Sequence, residues 1–153
     1  MKLWLPLALG LLGLATPALA ASEGTKFFVQ VIEGTNDKKP PTAEGKPIGP
    51  KLSQKLSQVF RWEYYWEIER KEIAVQPNEV KKLKLDGDRW LEIEATDEKH
   101  VDLRLFRGKE LVRKSRHLSD LGMMAVLGGT KTPDKAWFAV VRRDRPRSAT
   151  ASR

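Results

Sequence analysis

Residues 60–68 read Phe-Arg-Trp-Glu-Tyr-Tyr-Trp-Glu-Ile, and along them Trp62, Tyr64, Trp66 and Ile68 alternate with Arg61, Glu63, Tyr65 and Glu67. A side-chain period of two sends one set toward a core and the other toward solvent, so the stretch predicts a long, half-buried β-strand. Each buried aromatic removes about 150–250 Å² from water. The sheet that holds this strand is therefore expected to hold the centre of the fold, with Trp62, Tyr64, Trp66 and Ile68 inside and Glu63 and Glu67 exposed.

Immediately upstream, Pro50 opens Lys-Leu-Ser-Gln-Lys-Leu-Ser-Gln-Val-Phe, in which Leu52, Leu56 and Val59 share one helical face. Proline in the first turn and this spacing predict a short amphipathic helix that lies on the sheet. Before it, residues 34–50 are rich in Gly, Pro, Lys, Asn and Thr, with Pro40, Pro41 and Pro47 interrupting any ladder. They read as a long flexible loop. Residues 26–33 carry Phe27, Phe28, Val29, Val31 and Ile32 and predict the first strand.

Downstream, the hairpin signal Asp86-Gly87-Asp88 separates residues 80–85 from 89–95. Leu91, Ile93 and Ala95 point inward, as do Val101, Leu103 and Leu105 on the next strand. A connection at residues 97–99 sets Trp90 opposite Phe106 and Glu92 opposite Arg104, an aromatic pair and an ion pair. Residues 111–116 follow with a basic outer face of Arg113, Lys114 and Arg116. Residues 123–127 are an apolar strand ending in Gly128-Gly129, and residues 136–141 close the domain. About eight or nine short strands joined mostly by hairpins, with one helix, predict a mainly β fold, a single antiparallel β-sandwich or partly open barrel.

Residues 1–20 stand apart from the fold. Lys2, an apolar run over residues 3–14 and Ala18-Leu19-Ala20 have the form of a secretory signal peptide. The expected organisation is a signal peptide at 1–20, a β-sandwich domain at 21–143 and a basic disordered tail at 144–153. Export places the chain in the periplasm or outside the cell, with no transmembrane segment left after cleavage. The chain has no cysteine, which excludes disulfides, thiol catalysis and cysteine-ligated metals.

The net charge is +8, and from Arg142 to the end five Arg stand against one Asp. Such a concentration favours anionic partners without selecting a specific nucleic acid. The candidate anionic-ligand residues are Arg113, Lys114, Arg116, Arg142, Arg143, Arg145 and Arg147. No catalytic set, metal site or cofactor site emerges. His100, Asp102 and Glu94 are too few for a metal shell. His117, Ser119 and Asp120 sit within one turn rather than on the separate segments a triad needs. Glu63, Glu67 and Glu69 read as a solvated face, and Gly128-Gly129 lacks the lysine and helix of a phosphate loop.

The helix Leu52, Leu56, Val59, Phe60 running into Tyr64 and Tyr65, with residues 126–129 and 137–141 as a final apolar Gly-Gly hairpin, resembles a loose group of small exported bacterial β-rich proteins of unknown function. The Gly-Gly hairpin is also similar to a segment of outer-membrane secretins. Neither resemblance implies a catalytic residue. Together these readings point to a non-enzymatic binding or assembly module of the cell envelope that engages an envelope protein or an anionic envelope polymer. The alternatives are an adaptor that holds anionic polymer or a membrane surface through its Arg-rich tail, and a hydrolase built on Ser119 or the Glu63 face.

Overall fold

The computed structural model of the chain describes residues 23–147, so the signal peptide read at 1–20 and residues 148–153 of the tail lie outside the described residues. The fold is organised around β1 (Thr25–Thr35), in which every residue from 27 to 35 is buried. A run apolar on both faces suits only a strand covered on each side. In a five-stranded antiparallel sheet β1 lies between β3 (Tyr64–Val75) and β9 (Lys135–Arg142), with the two-residue β2 (Lys46–Pro47) beyond β3 and β8 (Met124–Thr132) beyond β9. A second sheet is a four-strand meander of β4 (Val80–Lys84), β5 (Arg89–Ala95), β6 (His100–Arg107) and β7 (Glu110–Leu118).

Alternation along β1 and β9 feeds two cores. Phe27, Val29 and Val31, with Trp137, Ala139 and Val141, meet Leu91, Ile93, Val101, Leu103 and Leu105 of the second sheet. Ile32, with Ala136, Phe138 and Val140, faces the other way and is covered by α1 (Pro50–Val59) through Leu52 and Leu56. The result is three layers, helix on sheet on sheet. At about 1.5–3 kcal/mol for each large apolar side chain fully buried, the inner strands carry most of the driving force.

The aromatic stretch is therefore not the centre. Its strand begins only at Tyr64, and Trp62, which does bury, reaches the helix-side core from the irregular segment ahead of it. Gly34 makes room there, since a Cβ at that position would stand 2.8 Å from the Trp62 ring. Tyr65 joins the same core, while Tyr64, Trp66 and Ile68 are only partly buried, contrary to the alternation expected. Two breaks in parity explain this: the turn at residues 61–63, and a bulge at which Val31 pairs with Glu69 but Ile32 with Glu67, leaving Ile68 unopposed. Glu63 is exposed as expected, whereas Glu67 is mostly covered and pairs with Arg70 and Gln30.

Other readings divide similarly. The Asp86-Gly87 hairpin forms with Gly87 at φ 64°, and Trp90 faces Phe106 and Glu92 faces Arg104 in the register expected. The helix begins at Pro50, but Val59 is 75% exposed, and Phe60 packs instead on Phe138 with ring centroids 4.6 Å apart. The loop read at 34–50 is shorter at both ends, because Gly34 and Thr35 belong to β1 and Ile48 is buried under the helix.

Gly128 and Gly129 do not end a strand; β8 runs through them to Thr132. At Gly128 the two backbones approach so closely that a Cβ would lie 2.0 Å from the Trp137 carbonyl oxygen, whereas at Gly129 nothing lies within 4 Å. Gly128→Ala must push β8 off β9 and is expected to cost about 3 kcal/mol or more, the upper range for overpacking. Gly129→Ala should change stability by less than about 1 kcal/mol. Urea unfolding of the two variants checks this, and equal shifts in midpoint would contradict the close approach.

Candidate binding surfaces

Of the sequence-predicted basic residues, Arg113, Lys114 and Arg116 lie on β7, which pairs with β6 and with no other strand among the described residues. β7 supplies nothing to either buried core. Leu111, Val112 and Leu118 on the strand, and Leu121 just beyond, leave about half or more of their surface in solvent. On the outer face of the meander a row runs Lys84, Trp90, Phe106, Leu111 across all four strands, with the Lys84 ammonium 5.7 Å from the Trp90 ring centroid.

The three cations do not share the single outer face expected. Lys114 and Arg116 pair with Arg104 and Asp102 on the outer face, while Arg113 sits opposite inward-pointing Leu105. Consecutive residues of a strand point to opposite faces, so Arg113 and Lys114 had to separate. Ser119 N–H donates to the Lys99 carbonyl at 2.7 Å, which fixes the phase of the ladder. Bonded and non-bonded pairs alternate in antiparallel sheets. His117, Ser115 and Arg113 thus turn their backbone groups to β6, and Leu118, Arg116 and Lys114 turn theirs to the open edge.

Asp102 anchors this face. It is 3% exposed, accepts from Arg116 Nε at 2.6 Å and Nη2 at 3.0 Å, and lies 4.0 Å from the Lys114 ammonium. The Arg116 hydrogen bonds, and then the charges of Arg116, Lys114 and Arg104, hold its carboxyl below the usual carboxylate range despite burial. Arg104 continues the ladder to Glu94 and Glu92. No sequence signal marked Asp102 as the anchor, because its partner lies on another strand.

The remaining candidates are distributed along the C-terminal segment. Arg142 closes on Asp144, with Nε 3.0 Å from Oδ1. Arg143 is a clamp: it donates to the Lys26 carbonyl at 3.1 Å and to Ser119 Oγ at 3.0 Å, with its guanidinium 5.6 Å from the Phe27 ring centroid. Residues 144–147, the described part of the segment read as a disordered tail at 144–153, remain in contact with the domain. Pro146 is buried and its carbonyl accepts from Arg70 at 3.0 Å, while a Cβ on Gly49 at the helix start would lie 2.9 Å from the Arg147 carbonyl. Arg145 and Arg147 are exposed beside the helix that carries exposed Lys51 and Lys55. The seven candidates thus do not share one surface, and Arg143 is structural.

The other constellations do not assemble. His117 Nε2 lies 2.9 Å from Ser115 Oγ, and Ser119 Oγ is taken by Arg143. His100 turns to Asp97 at 2.9 Å. Among the described residues no three His, Asp or Glu side chains converge on a metal-sized space. The structure does bring together two adjoining clefts, of about 440 and 490 Å³, that share Arg61 and Trp62. Arg61 stacks 4.8 Å over the Trp62 ring centroid and donates to the Pro133 carbonyl at 3.0 Å. These clefts draw on residues 35–37, 59–62 and 129–138, segments too far apart in sequence to be read as one site.

With this geometry the chain was compared with known proteins. It matches no known family, no curated protein and no solved structure. Residue roles therefore rest on the chain's own geometry.

Replacing Asp102 with Asn leaves Arg116 and Lys114 without their counter-charge and is expected to cost about 1–3 kcal/mol near neutral pH. A carboxyl depressed on folding contributes stability that is complete above its unfolded pKa of about 4 and lost as pH falls through the lower folded value. The stability gap between wild type and Asp102→Asn should accordingly close below about pH 4. Denaturation across pH 2–7 measures it, and a gap of constant size would contradict the assignment.

Proposed function

We propose that the chain is a non-enzymatic binding or assembly module that works in the cell envelope after export, in the periplasm or outside the cell. The observation that carries this reading is β7: a nine-residue strand that, among the described residues, pairs on one side only, is absent from both cores and is lined with exposed Leu111, Val112 and Leu118. An apolar edge of this kind is a common site of protein contact. Export rests on the signal-like residues 1–20. Among the described residues no helix is long and apolar enough to cross a membrane.

A second reading has its own observation. Exposed Arg145 and Arg147 are held alongside the helix that carries Lys51 and Lys55, which makes a fixed basic strip suited to anionic polymer or a membrane surface. Attraction of this kind is screened by salt, so binding to acidic liposomes should fall steeply between low and physiological ionic strength.

The module reading is tested by placing a photo-crosslinking residue at Leu118 or at Val59, both exposed apolar positions, in cells that make the protein. A discrete adduct with an envelope protein through position 118 and none through 59 is expected. Adducts of equal yield at both positions, or none at 118, would overturn the reading.

A further inference from the structure

We infer that β7 is a docking edge for strand addition, and that its occupant is an extended segment of another protein with acidic side chains at alternate positions. The inference rests on the binding-module reading and gives it a partner chemistry. In strand addition the main chain supplies affinity and alternate side chains supply selection. Both are set out on β7: the backbone N–H and C=O of Lys114, Arg116 and Leu118 face the open edge, and their side chains rise on the outer face.

Charge decides which strand fits. Two copies of this chain paired antiparallel through β7 and centred on Ser115 would set Lys114 against Arg116 twice. Centred on Arg116, the pairing sets that residue against itself. Like charges directly opposite are destabilising, so in these two registers the cations disfavour self-pairing and favour an anionic strand. Arg116 spends Nε and Nη2 on Asp102, yet its side chain is 62% exposed and keeps Nη1 for a further acceptor. The Lys114 ammonium stands 4.0 Å from Asp102 with more than half of its side chain in solvent. An added antiparallel strand would set acidic residues beside Arg116 and Lys114 and an apolar one beside Leu118. In its own N-to-C direction the pattern is apolar, any, acidic, any, acidic. Leu111 and the Trp90–Phe106 pair extend the apolar surface beyond that register.

The experiment uses the purified chain and two synthetic peptides, one with Leu, Glu and Glu at these alternate positions and one with Lys in place of both Glu. The acidic peptide is expected to bind, to slow hydrogen exchange at the amides of Lys114, Arg116 and Leu118, and to bind at least about tenfold more tightly than the lysine peptide. Lys114→Gln removes a charge but keeps the outward N–H, whereas Lys114→Pro removes both, and proline is tolerated where an edge N–H faces solvent. Affinity should fall for Gln and fall further for Pro. Exchange measured on the wild type keeps the inference testable even if the proline variant does not fold. No binding of the acidic peptide, equal binding of the lysine peptide, or binding without protection at those three amides would overturn it. Crosslinking through Leu118 that persists in Lys114→Pro would leave the module reading standing and remove strand addition.

Discussion

The structure depends on one strand being buried on both faces. β1 has core on each side and is flanked in its sheet by β3 and β9. The four-stranded sheet meets Phe27, Val29 and Val31, and the helix meets Ile32. Because the two cores share a backbone, a shift of β1 by one residue would exchange its inner and outer side chains and disrupt both at once. Gln30, Glu33 and Thr35 are buried with the apolar residues of the strand. Glu33, 1% exposed, is met by Lys131 and Lys135 at 3.0 Å each, and Gln30 donates to Glu67. These pairs tie β1 to both neighbouring strands at positions where a shifted register would leave charge or amide unpartnered.

How much of this was legible in the sequence depended on whether a strand kept its parity. β5 and β6 alternate without a break, so with the connection placed at residues 97–99 their register, down to Trp90 against Phe106, followed from the sequence. The aromatic stretch breaks its alternation. A turn ahead of Tyr64 and a bulge at Ile68 each change which face the next residue takes, and neither carries a glycine or proline to announce it. The run at residues 27–32 showed a strand, but its central place depends on what covers both sides, which is a tertiary fact. The candidate surfaces were legible as composition and not as geometry. The basic residues of 113–116 and 142–147 were evident, yet Asp102 beneath Arg116, Arg143 clamped across Phe27 and Ser119, and the seating of Pro146 all join segments distant in sequence.

The charge of the molecule is organised rather than spread. Acidic residues are largely consumed by neighbours: Glu92 and Glu94 by Arg104, Asp102 by Arg116, Glu67 by Arg70 and Asp144 by Arg142. Two groups of exposed cations stand out, one at the β7 edge and one in the strip beside the helix. β7 is held by ladder bonds and ion pairs without core burial. A strand of that kind opens at lower free energy than the core, which suits an edge that exchanges solvent for a partner.

Native-state hydrogen exchange resolved by residue tests the central place of β1 most directly. Amides of residues 27–32 should exchange only through global unfolding, with those of β9 beside them, while β7 exchanges through local opening at lower free energy. Greatest protection over residues 64–68, with β1 opening before them, would contradict the account and return the aromatic strand to the centre of the fold.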